Sequence, residues 1–421
     1  MGWNSWDSYG FTIDENEFKA NAAVLASLKP YGWTYAVIDE GWYMGNPFGD
    51  KLAARAYRLD GFGRLIPDPA RFLSSVDGAG FKPLADWLHA QGLKFGLHIV
   101  RGIPKDAVAT NLPIAGSTFS VVDAADTADT CPWDDGNYGV RDNEAGQAYY
   151  DSLMRLYADW GVDFVKVDCI ADHPYKANEI RQIALAIKKT GRPIVLSLSP
   201  GPTNLSHAAE VAQYSQMWRI ANDLWDGWSF APPWPNGLRS AFDNLASWAP
   251  YAKAGNWPDA DMLPFGALEP HPGWGEPRQS RLTQDEERTQ FTLWAIARSP
   301  LILGGNLTKL DDFERTLITN KDLIAVNQTV WESHPVDYKK GEDFVTWEAF
   351  TGPRDKPIRY FAYFNLSDDE GTFVNLVEPD HSVHHFIDLW NGKDYAVKIS
   401  PDTVMLHTGL NPHQSQIFRL E

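Results

Sequence analysis

A carboxylate at the end of a short apolar run is the feature of this sequence that points most directly to chemistry. Residues 163–167 are mostly apolar and β-forming, and they lead into Asp168. Lys166 lies two residues earlier, on the same face of a strand. An ammonium beside a carboxylate keeps it ionised, as a nucleophile requires. Asp168 could equally cap a helix that begins near residue 172, since aspartate is a common N-cap residue.

A second candidate acid follows another strand-like run, which ends at Arg219. Asp223 comes four residues after Arg219, and Asp226 comes three residues after Asp223. If Asp168 attacks a substrate carbon, an acid on a neighbouring loop must protonate the leaving oxygen. Asp223 is better placed for this than Asp226. The alternative is that both loop acids simply pair with Arg219, because aspartate is frequent in loops.

Two more acidic clusters follow predicted strands. Asp39 and Glu40 form one adjacent pair, and Asp259 and Asp261 form the second cluster. Acids around one rim can bracket a polyol with bidentate hydrogen bonds, or they can bind a divalent cation. His98 stands alone on its predicted strand, without a His-x-His pair. We therefore interpret it as a hydrogen-bonding residue of the site lining rather than as a metal ligand.

Strand-like runs alternate with helical patterns up to about residue 325, and these elements would position the candidate acids. Capping-box patterns at Asp14 with Glu17 and at Thr283 with Glu286 mark two helix starts. Eight strands in βα units predict an α/β fold with a closed (β/α)8 barrel. The active site of such a barrel lies at the C-terminal strand ends, where Asp168 and the other acids fall. The predicted strands are 2–6, 34–39, 93–99, 163–168, 193–198, 214–219, 253–257 and 301–303.

After residue 327 the pattern changes to short alternating runs separated by turn signals such as Asn391-Gly392. This pattern predicts an all-β accessory domain. We therefore divide the chain into a barrel domain, residues 1–327, and a C-terminal domain, residues 328–421. The predicted strands of the second domain are 343–350, 358–366, 371–376, 384–390, 395–399, 404–407 and 415–420.

Composition limits the class of protein. With 421 residues, 44% of them hydrophobic, the chain can bury a large core. The net charge of −18 argues against nucleic acid or an anionic membrane as a partner. The 18 tryptophans often stand in loop-like contexts, which suits stacking on sugar faces. No apolar run approaches the ~18 residues of a membrane span. Cys131 and Cys169 could form one disulfide or none.

The order of several motifs resembles glycoside hydrolase family 27. This is the α-galactosidase and α-N-acetylgalactosaminidase family, which also includes β-L-arabinopyranosidases. The resemblance spans the whole predicted barrel. It is carried by Met1-Gly-Trp-Asn-Ser-Trp6, the acid pair before Gly41-Trp42, Gly92-Leu-Lys-Phe-Gly96, Trp160-Gly-Val-Asp-Phe-Val-Lys-Val-Asp168, Trp218-Arg219 with Asp223, Trp257-Pro-Asp-Ala-Asp-Met-Leu263 and Leu293-Trp-Ala-Ile-Ala297.

The resemblance implies a (β/α)8 barrel followed by an antiparallel β-sandwich. It implies that Asp168 is the nucleophile and Asp223 the acid/base of a retaining double displacement, with carboxyl groups about 5–5.5 Å apart. The implied substrate is a glycan, no metal or organic cofactor is needed, and the oligomeric state stays open. Secretion or a periplasmic location is expected by family analogy, although no signal peptide is visible in this chain. The implied sugar-binding residues, with His98 added as a lining residue, are Trp6, Asp39, Glu40, Lys166, Arg219, Asp261 and Met262.

The chain departs from the family pattern at Glu40. Family members that cleave galactosides usually carry two adjacent aspartates where this chain has Asp39-Glu40. The extra methylene would crowd the hydroxymethyl group of galactose, and β-L-arabinopyranose is galactose without that group. The loop at residues 197–202 also lacks the pattern by which relatives recognise the 2-position of the sugar.

Terminal α-D-galactosides are the leading substrate prediction, and β-L-arabinopyranosides are the close alternative. From a different class, the chain could be an inactive barrel that binds carbohydrate. A metal-dependent barrel hydrolase is a further alternative.

Overall fold

The chain folds into two compact units, each built from several segments. The computed structural model describes residues 1–47, 56–232, 234–268, 276–369, 371–377, 383, 385–396, 398–400 and 403–421. The first unit contains Met1–Arg219, Gly266–Gln279 and Ile302–Leu310. The second contains Ile220–Phe265, Ser280–Leu301 and Asp311–Glu421. The division at residues 327 and 328 stays a prediction.

An eight-stranded parallel sheet forms the centre of the fold, and seven of its strands belong to the first unit. The eighth, Trp257–Asp259, belongs to the second unit. The α/β class with a parallel sheet is thus confirmed, and closure into a barrel stays a prediction. In sheet order, the seven strands are Met217–Arg219, Val195–Leu198, Phe164–Asp168, Lys94–Val100, Tyr35–Ile38, Gly2–Asn4 and Ile302–Leu303.

The register of these strands decides which side chains meet at the carboxyl edge of the sheet. His98 is paired with Lys166, and Lys166 with Ser197. Ile38 is paired with Leu97, so Asp39 follows at the level of His98. The strands are continuous apolar runs because both faces of a parallel sheet are covered. The sequence pattern therefore places the candidate acids where the apolar runs end.

Helices of the first unit follow the strands, and their ends agree with the predicted caps. In the helix Glu15–Ser27, Asp14 Oδ1 accepts from Glu17 N at 2.9 Å and Glu17 Oε2 accepts from Asp14 N at 3.0 Å. The helix Glu144–Trp160 ends at Gly161, whose φ of +87° is the left-handed conformation that glycine tolerates best. The helices of this unit are Trp6–Tyr9, Glu15–Ser27, Lys82–Ala90, Lys105–Ala109, Val121–Ala124, Glu144–Trp160, Ala177–Thr190 and Ala208–Tyr214.

The long connection after the strand Lys94–Val100 contains a small antiparallel sheet of its own. Its strands, in sheet order, are Ile103–Pro104, Asn137–Val140 and Ala125–Thr130. Cys131, which follows the last of these, forms a disulfide with Cys169, with the two Cα atoms 6.0 Å apart. The sequence left this pairing open. The disulfide ties the connection to the residue after Asp168.

Two predicted strands were wrong in their bounds. The strand predicted at 253–257 begins only at Trp257, because Lys253 and Asn256 exchange backbone hydrogen bonds of 3.1 and 2.9 Å across a tight turn. The strand predicted at 214–219 begins at Met217, because the helix Ala208–Tyr214 occupies its predicted start. Residues 253–256 are Lys-Ala-Gly-Asn, residue types that are depleted in strands and suit a turn.

The second unit combines helices with antiparallel sheets. Its helices are Leu238–Trp248, Gln284–Ile296, Asp312–Ile318 and Lys321–Thr329. One sheet contains, in order, Glu332–Val336, Phe344–Thr351, Ile358–Asn365, Ser415–Leu420, His385–Asp388 and Asp394–Ala396. A second contains Gly371–Val377, Thr403–Leu410 and Lys398–Ser400. The predicted all-β segment is confirmed as antiparallel.

One strand of the antiparallel segment was missed. Glu332–Val336 contains Pro335, which lowers its strand propensity, and it occupies the edge of its sheet, where proline is tolerated. Phe386 and Phe418 pack with Leu410 in a single hydrophobic cluster. Phe386 and Phe418 come from the larger sheet and Leu410 from the smaller one, so the two sheets share a core. None of the helices among the described residues has the length and apolar character needed to cross a membrane.

Candidate active site

The first part of the candidate site is a group of charged side chains at the carboxyl edge of the parallel sheet. Asp39 Oδ2 accepts hydrogen bonds from Lys166 Nζ at 2.9 Å and from Asn4 Nδ2 at 2.6 Å. Its other oxygen accepts from Glu40 N at 2.8 Å. Ser5 Oγ accepts from Asp39 N at 3.0 Å. Asp39 is thereby fixed on all sides, while Lys166 links it to the strand that carries Asp168.

Asp168 ends its strand with its carboxylate close to His98. Asp168 Oδ1 accepts from Cys169 N at 2.7 Å, and Asp168 Oδ2 lies 3.6 Å from His98 Nε2. The side chain keeps 17% of its surface accessible. The next helix begins only at Ala177, so the interpretation of Asp168 as a helix cap near residue 172 is wrong. One carboxylate oxygen is held by the backbone and the other is available for chemistry.

The electrostatics of this group favour ionised carboxylates. Burial alone would raise the pKa of Asp168, but His98, Lys166 and the hydrogen bond from Cys169 N together lower that pKa below its ordinary value. Burial likewise opposes ionisation of Asp39. The nearby His98 and Lys166 outweigh it and hold the pKa of Asp39 well below the usual carboxyl range. Asp168 is therefore a carboxylate at neutral pH, the form needed for nucleophilic attack.

Glu40 brings a third carboxylate to the same place. Its side chain is 8% exposed. One oxygen of Glu40, one nitrogen of His98 and one oxygen of Asp168 all lie within 4.8 Å of one another. Two carboxylates and an imidazole at this spacing have the chemistry of a zinc-type ligand set.

Trp6 and Arg219 belong to the same unit. The backbone N–H of Trp6 donates to Asn4 Oδ1 at 2.8 Å, and its half-buried ring packs edge-to-face on Phe11, with 5.0 Å between ring centroids. Arg219 is buried at the end of its strand, and its carbonyl accepts from Thr203 N at 3.1 Å and from Thr203 Oγ1 at 2.7 Å. The first unit thus brings together Trp6, Asp39, Glu40, His98, Lys166 and Asp168 around neighbouring strand ends, with Arg219 at the end of a further strand.

The segment that carries Asp223 belongs to the second unit. The Asp223 carbonyl accepts from Asn236 N at 2.8 Å, and Trp225 N donates to Asn236 O at 3.0 Å. Leu224 N donates to Asp261 Oδ2 at 2.8 Å. The half-buried Asp223 therefore lies on a short loop that is closed by its own backbone and pinned by Asp261.

Asp261 and Met262 follow the strand Trp257–Asp259. Asp261 is buried with φ of +88°, and its N–H donates to Asp259 Oδ1 at 2.9 Å. Trp294 Nε1 donates to the Asp261 carbonyl at 2.8 Å. Met262 is also buried, and its carbonyl accepts from Gln290 Nε2 at 3.3 Å. These contacts hold Asp261 in a conformation that is uncommon for a residue with a side chain.

Asp226 is less suited than Asp223 to protonating a leaving group. Its side chain is 1% exposed, and its Oδ2 accepts from Arg281 N at 3.1 Å, with Arg281 Nε at 3.8 Å. A buried carboxylate with these partners fixes the position of the chain around Arg281. The contacts favour Asp223 as the acid of this loop.

Sequence reasoning assigned no role to Asn4, Ser5 or Arg101. Asn4 and Ser5 lie inside the first motif of the family resemblance, and both bind Asp39 directly. Arg101 follows the strand Lys94–Val100, and its side chain reaches Cys169. No local pattern marks an arginine in a long connection as a neighbour of a residue 68 positions away, so this contact needs the fold.

Comparisons with known proteins show the family of this chain. Residues 132–329 match the family model Melibiase_2, described as alpha galactosidase A. The chain is 40% identical to a GH27 β-L-arabinopyranosidase from Geobacillus stearothermophilus, and the two structures align with a TM-score of 0.92 over 100% of this chain and 95% of that chain. A structure of a variant of that enzyme holds arabinose.

Curated relatives are similar at lower identity. The alpha-galactosidase A of Cellvibrio japonicus is 29% identical, covering 94% of this chain and 87% of that protein. The human alpha-galactosidase A is 28% identical, covering 83% of this chain and 70% of that protein. The match extends over nearly the whole chain in the 40% identical structure and includes both units. The chain belongs to glycoside hydrolase family 27.

Proposed function

We propose that this protein is an exo-acting retaining glycosidase that prefers terminal β-L-arabinopyranosides to terminal α-D-galactosides. The observation that carries this preference is the position of Glu40, whose buried carboxylate clusters with His98 and Asp168. A sugar attacked by Asp168 has to fit beside that carboxylate. An arabinopyranose ring lacks the hydroxymethyl group of galactose and leaves more room for it.

The proposed order of substrates reverses the one predicted from the sequence. In the prediction from the sequence, Glu40 made β-L-arabinopyranosides a close alternative but left α-D-galactosides in first place. The structure puts the Glu40 side chain in the cluster rather than turned away from it. The 40% identity to an arabinopyranosidase supports the same order. α-D-Galactoside hydrolysis remains the second candidate, supported by the family model that matches residues 132–329.

In the proposed mechanism, Asp168 Oδ2 attacks the anomeric carbon while the bond from that carbon to the leaving oxygen breaks. Asp223 gives its proton to the leaving oxygen. Water then attacks the glycosyl–Asp168 ester, Asp223 takes up a proton from the water, and the sugar leaves with its original anomeric configuration. This requires the two carboxyl groups to lie about 5–5.5 Å apart.

The remaining site residues are proposed to bind the sugar. Asp39 and Lys166, joined at 2.9 Å, present charged acceptors and donors to adjacent hydroxyl groups. Trp6 offers an apolar face for the C–H side of the ring. His98 lines the site beside Asp168. Arg219, Asp261 and Met262 are proposed to complete it. The proposed fold is a closed barrel with a C-terminal β-sandwich, and the disulfide of Cys131 fits the expected secreted or periplasmic location.

Kinetics on two aryl glycosides test the preference. We expect a higher kcat/KM for p-nitrophenyl β-L-arabinopyranoside than for p-nitrophenyl α-D-galactopyranoside. Glu40→Asp should shift the ratio of the two values toward galactoside by about tenfold, the effect of one methylene in a pocket. Glu144→Asp, a change at an exposed helix position, is the matched control. An unchanged ratio in Glu40→Asp would remove Glu40 from substrate selection.

A further inference from the structure

We propose that Arg101 is a positioning residue for the nucleophile, holding the peptide after Asp168 so that one carboxylate oxygen faces the substrate. This inference rests on the proposed nucleophilic role of Asp168. It concerns a buried cation that the mechanism does not use and that contacts the residue after Asp168.

The peptide between Asp168 and Cys169 controls the orientation of the nucleophile. Cys169 N donates to Asp168 Oδ1 at 2.7 Å, so a rotation of this peptide would turn the carboxylate. Cys169 has φ of +59°, a left-handed conformation that is unfavourable for a residue with a Cβ atom. Such a conformation persists only when its surroundings hold it.

Arg101 holds the Cys169 backbone in this conformation through two hydrogen bonds. Its backbone N–H donates to the Asp168 carbonyl at 3.1 Å, and its Nε donates to the Cys169 carbonyl at 2.6 Å. The two carbonyls on either side of the unfavourable Cys169 conformation are therefore bound by one residue. The disulfide with Cys131 holds the Cys169 side chain, but it makes no contact with either carbonyl.

The guanidinium of Arg101 is itself fixed by two carboxylates. Its side chain is 1% exposed. Nη1 and Nη2 donate to the two oxygens of Asp129 at 2.9 and 3.0 Å, and Nη1 also donates to Glu179 Oε1 at 2.8 Å. Together with the bond from Nε to the Cys169 carbonyl, these are four hydrogen bonds, and they fix the orientation of the planar guanidinium. A lysine ammonium could not make the same set of bonds.

The backbone that passes this ion pair leaves room for it at a glycine. A Cβ atom at Gly139 would lie 2.1 Å from Asp129 Oδ2 and 3.0 Å from Arg101 Nη1. The strand Asn137–Val140 therefore needs glycine where it passes the pair. Behind it, Tyr150 Oη donates to Glu179 Oε2 at 2.5 Å, and Lys176 Nζ lies 2.8 Å from Asp129 Oδ2. Every carboxylate in the group has a second partner, so the arginine is held in one orientation.

Steady-state kinetics on Arg101→Met and Arg101→Lys test the proposal. A displacement of about 1 Å at a reacting group costs roughly 100-fold in rate. We expect kcat to fall about 100-fold in Arg101→Met and about tenfold in Arg101→Lys, with KM changed less than threefold in both. The same losses should appear in the rate at which a 2-deoxy-2-fluoro glycosyl fluoride labels Asp168. Arg181→Met, which removes an exposed arginine paired with Asp142 at 2.5 Å, is the control and should behave as the wild type.

The outcomes separate the two proposals. A folded Arg101→Met protein with kcat within twofold of the wild type would overturn the positioning role, provided that Asp168→Asn is inactive. Turnover by Asp168→Asn would instead refute the proposed function, whatever the arginine variants do. If Arg101→Met does not fold, Asp129→Asn is the substitute test, because it keeps the arginine and weakens its ion pair with residue 129. The proposal then requires Asp129→Asn and Arg101→Lys to lower kcat with KM preserved, and wild-type kcat in both would overturn it.

Discussion

The two proposed catalytic acids are held in different ways. Asp168 ends a strand that is paired on both sides, and the residue after it is bound by a disulfide and by a buried arginine. Asp223 lies on a loop that is closed by backbone hydrogen bonds to Asn236 and pinned by one Asp261 oxygen. The nucleophile side is fixed by covalent and ionic contacts, whereas the hydrogen bonds to Asn236 and Asp261 hold the backbone of the acid side.

The Asp223 loop has a further anchor on the antiparallel segment. The ring of Trp228 stacks on His413, with centroids 3.8 Å apart and an interplanar angle of 12°. His413 is itself bound by Glu286 at 2.8 Å and by Asp368 at 3.2 Å. It lies in the turn before the strand Ser415–Leu420. The antiparallel segment therefore supports the loop of the proposed acid, while the contacts of the nucleophile come from the parallel sheet and the connection after it.

The largest effects should come from the two acids themselves, and they should differ in kind. Asp168→Asn should lower kcat about 10,000-fold for every substrate, because each substrate needs the nucleophile. Asp223→Asn should lower kcat/KM, which reports the step that releases the leaving group, about 100-fold or more for p-nitrophenyl substrates and less for dinitrophenyl substrates, whose leaving groups need little protonation. Rates on the two leaving groups give the measurement. Equal losses on both by Asp223→Asn would assign the acid role to another residue.

Part of this comparison could be predicted from the sequence. The strand ending at Asp168 was predicted almost to the residue, because its apolar run stops sharply at charged residues. The capping boxes at Asp14 and Thr283 were also predicted, since a capping box is local. The strand at Trp257 was predicted to begin too early, because residues 253–256 form a tight turn.

The supports of the acids could not be predicted. Arg101 and Cys169 are 68 positions apart in the sequence, and Trp228 and His413 are 185 positions apart. Such contacts depend on how the elements pack, which no local pattern contains. The disulfide could not be predicted for the same reason. Two cysteines permit a bond, but only the fold brings them together.

Removing the stacked anchor should weaken the acid side alone. With His413→Ala the ring of Trp228 loses its partner, and the Asp223 loop gains freedom. We expect kcat to fall about five- to twentyfold on p-nitrophenyl substrates, with a smaller loss on dinitrophenyl substrates. His207→Ala is the matched control, because the ring of His207 also stacks on an aromatic ring, that of Tyr175 with centroids 3.6 Å apart, but both belong to the first unit and the Asp223 loop to the second. The same loss on both leaving groups would mean that His413 supports folding rather than the acid.

The last prediction concerns stability rather than rate, and it contrasts the charges of the two regions. The pKa values of Asp39 and Asp168 are lowered, so these groups favour the folded state when ionised. Glu287, in the helix Gln284–Ile296, has the opposite tendency. Burial, with added repulsion from Glu314 and Asp311, raises its pKa to about 8. Its unfolded value is about 4.3.

Because the folded protein binds the Glu287 proton more tightly than the unfolded chain does, its stabilising contribution is complete below about pH 4.3 and is lost as pH rises through about 8. Glu287→Gln removes this loss. At 1.36 kcal/mol per pKa unit, the variant should gain up to about 5 kcal/mol in the free energy of unfolding at pH 8.5, and nothing at pH 4. Urea unfolding at both values measures the difference, with the exposed Glu144→Gln as control. A gain of equal size at both pH values would show that packing, and not the buried charge, limits the stability of this helix.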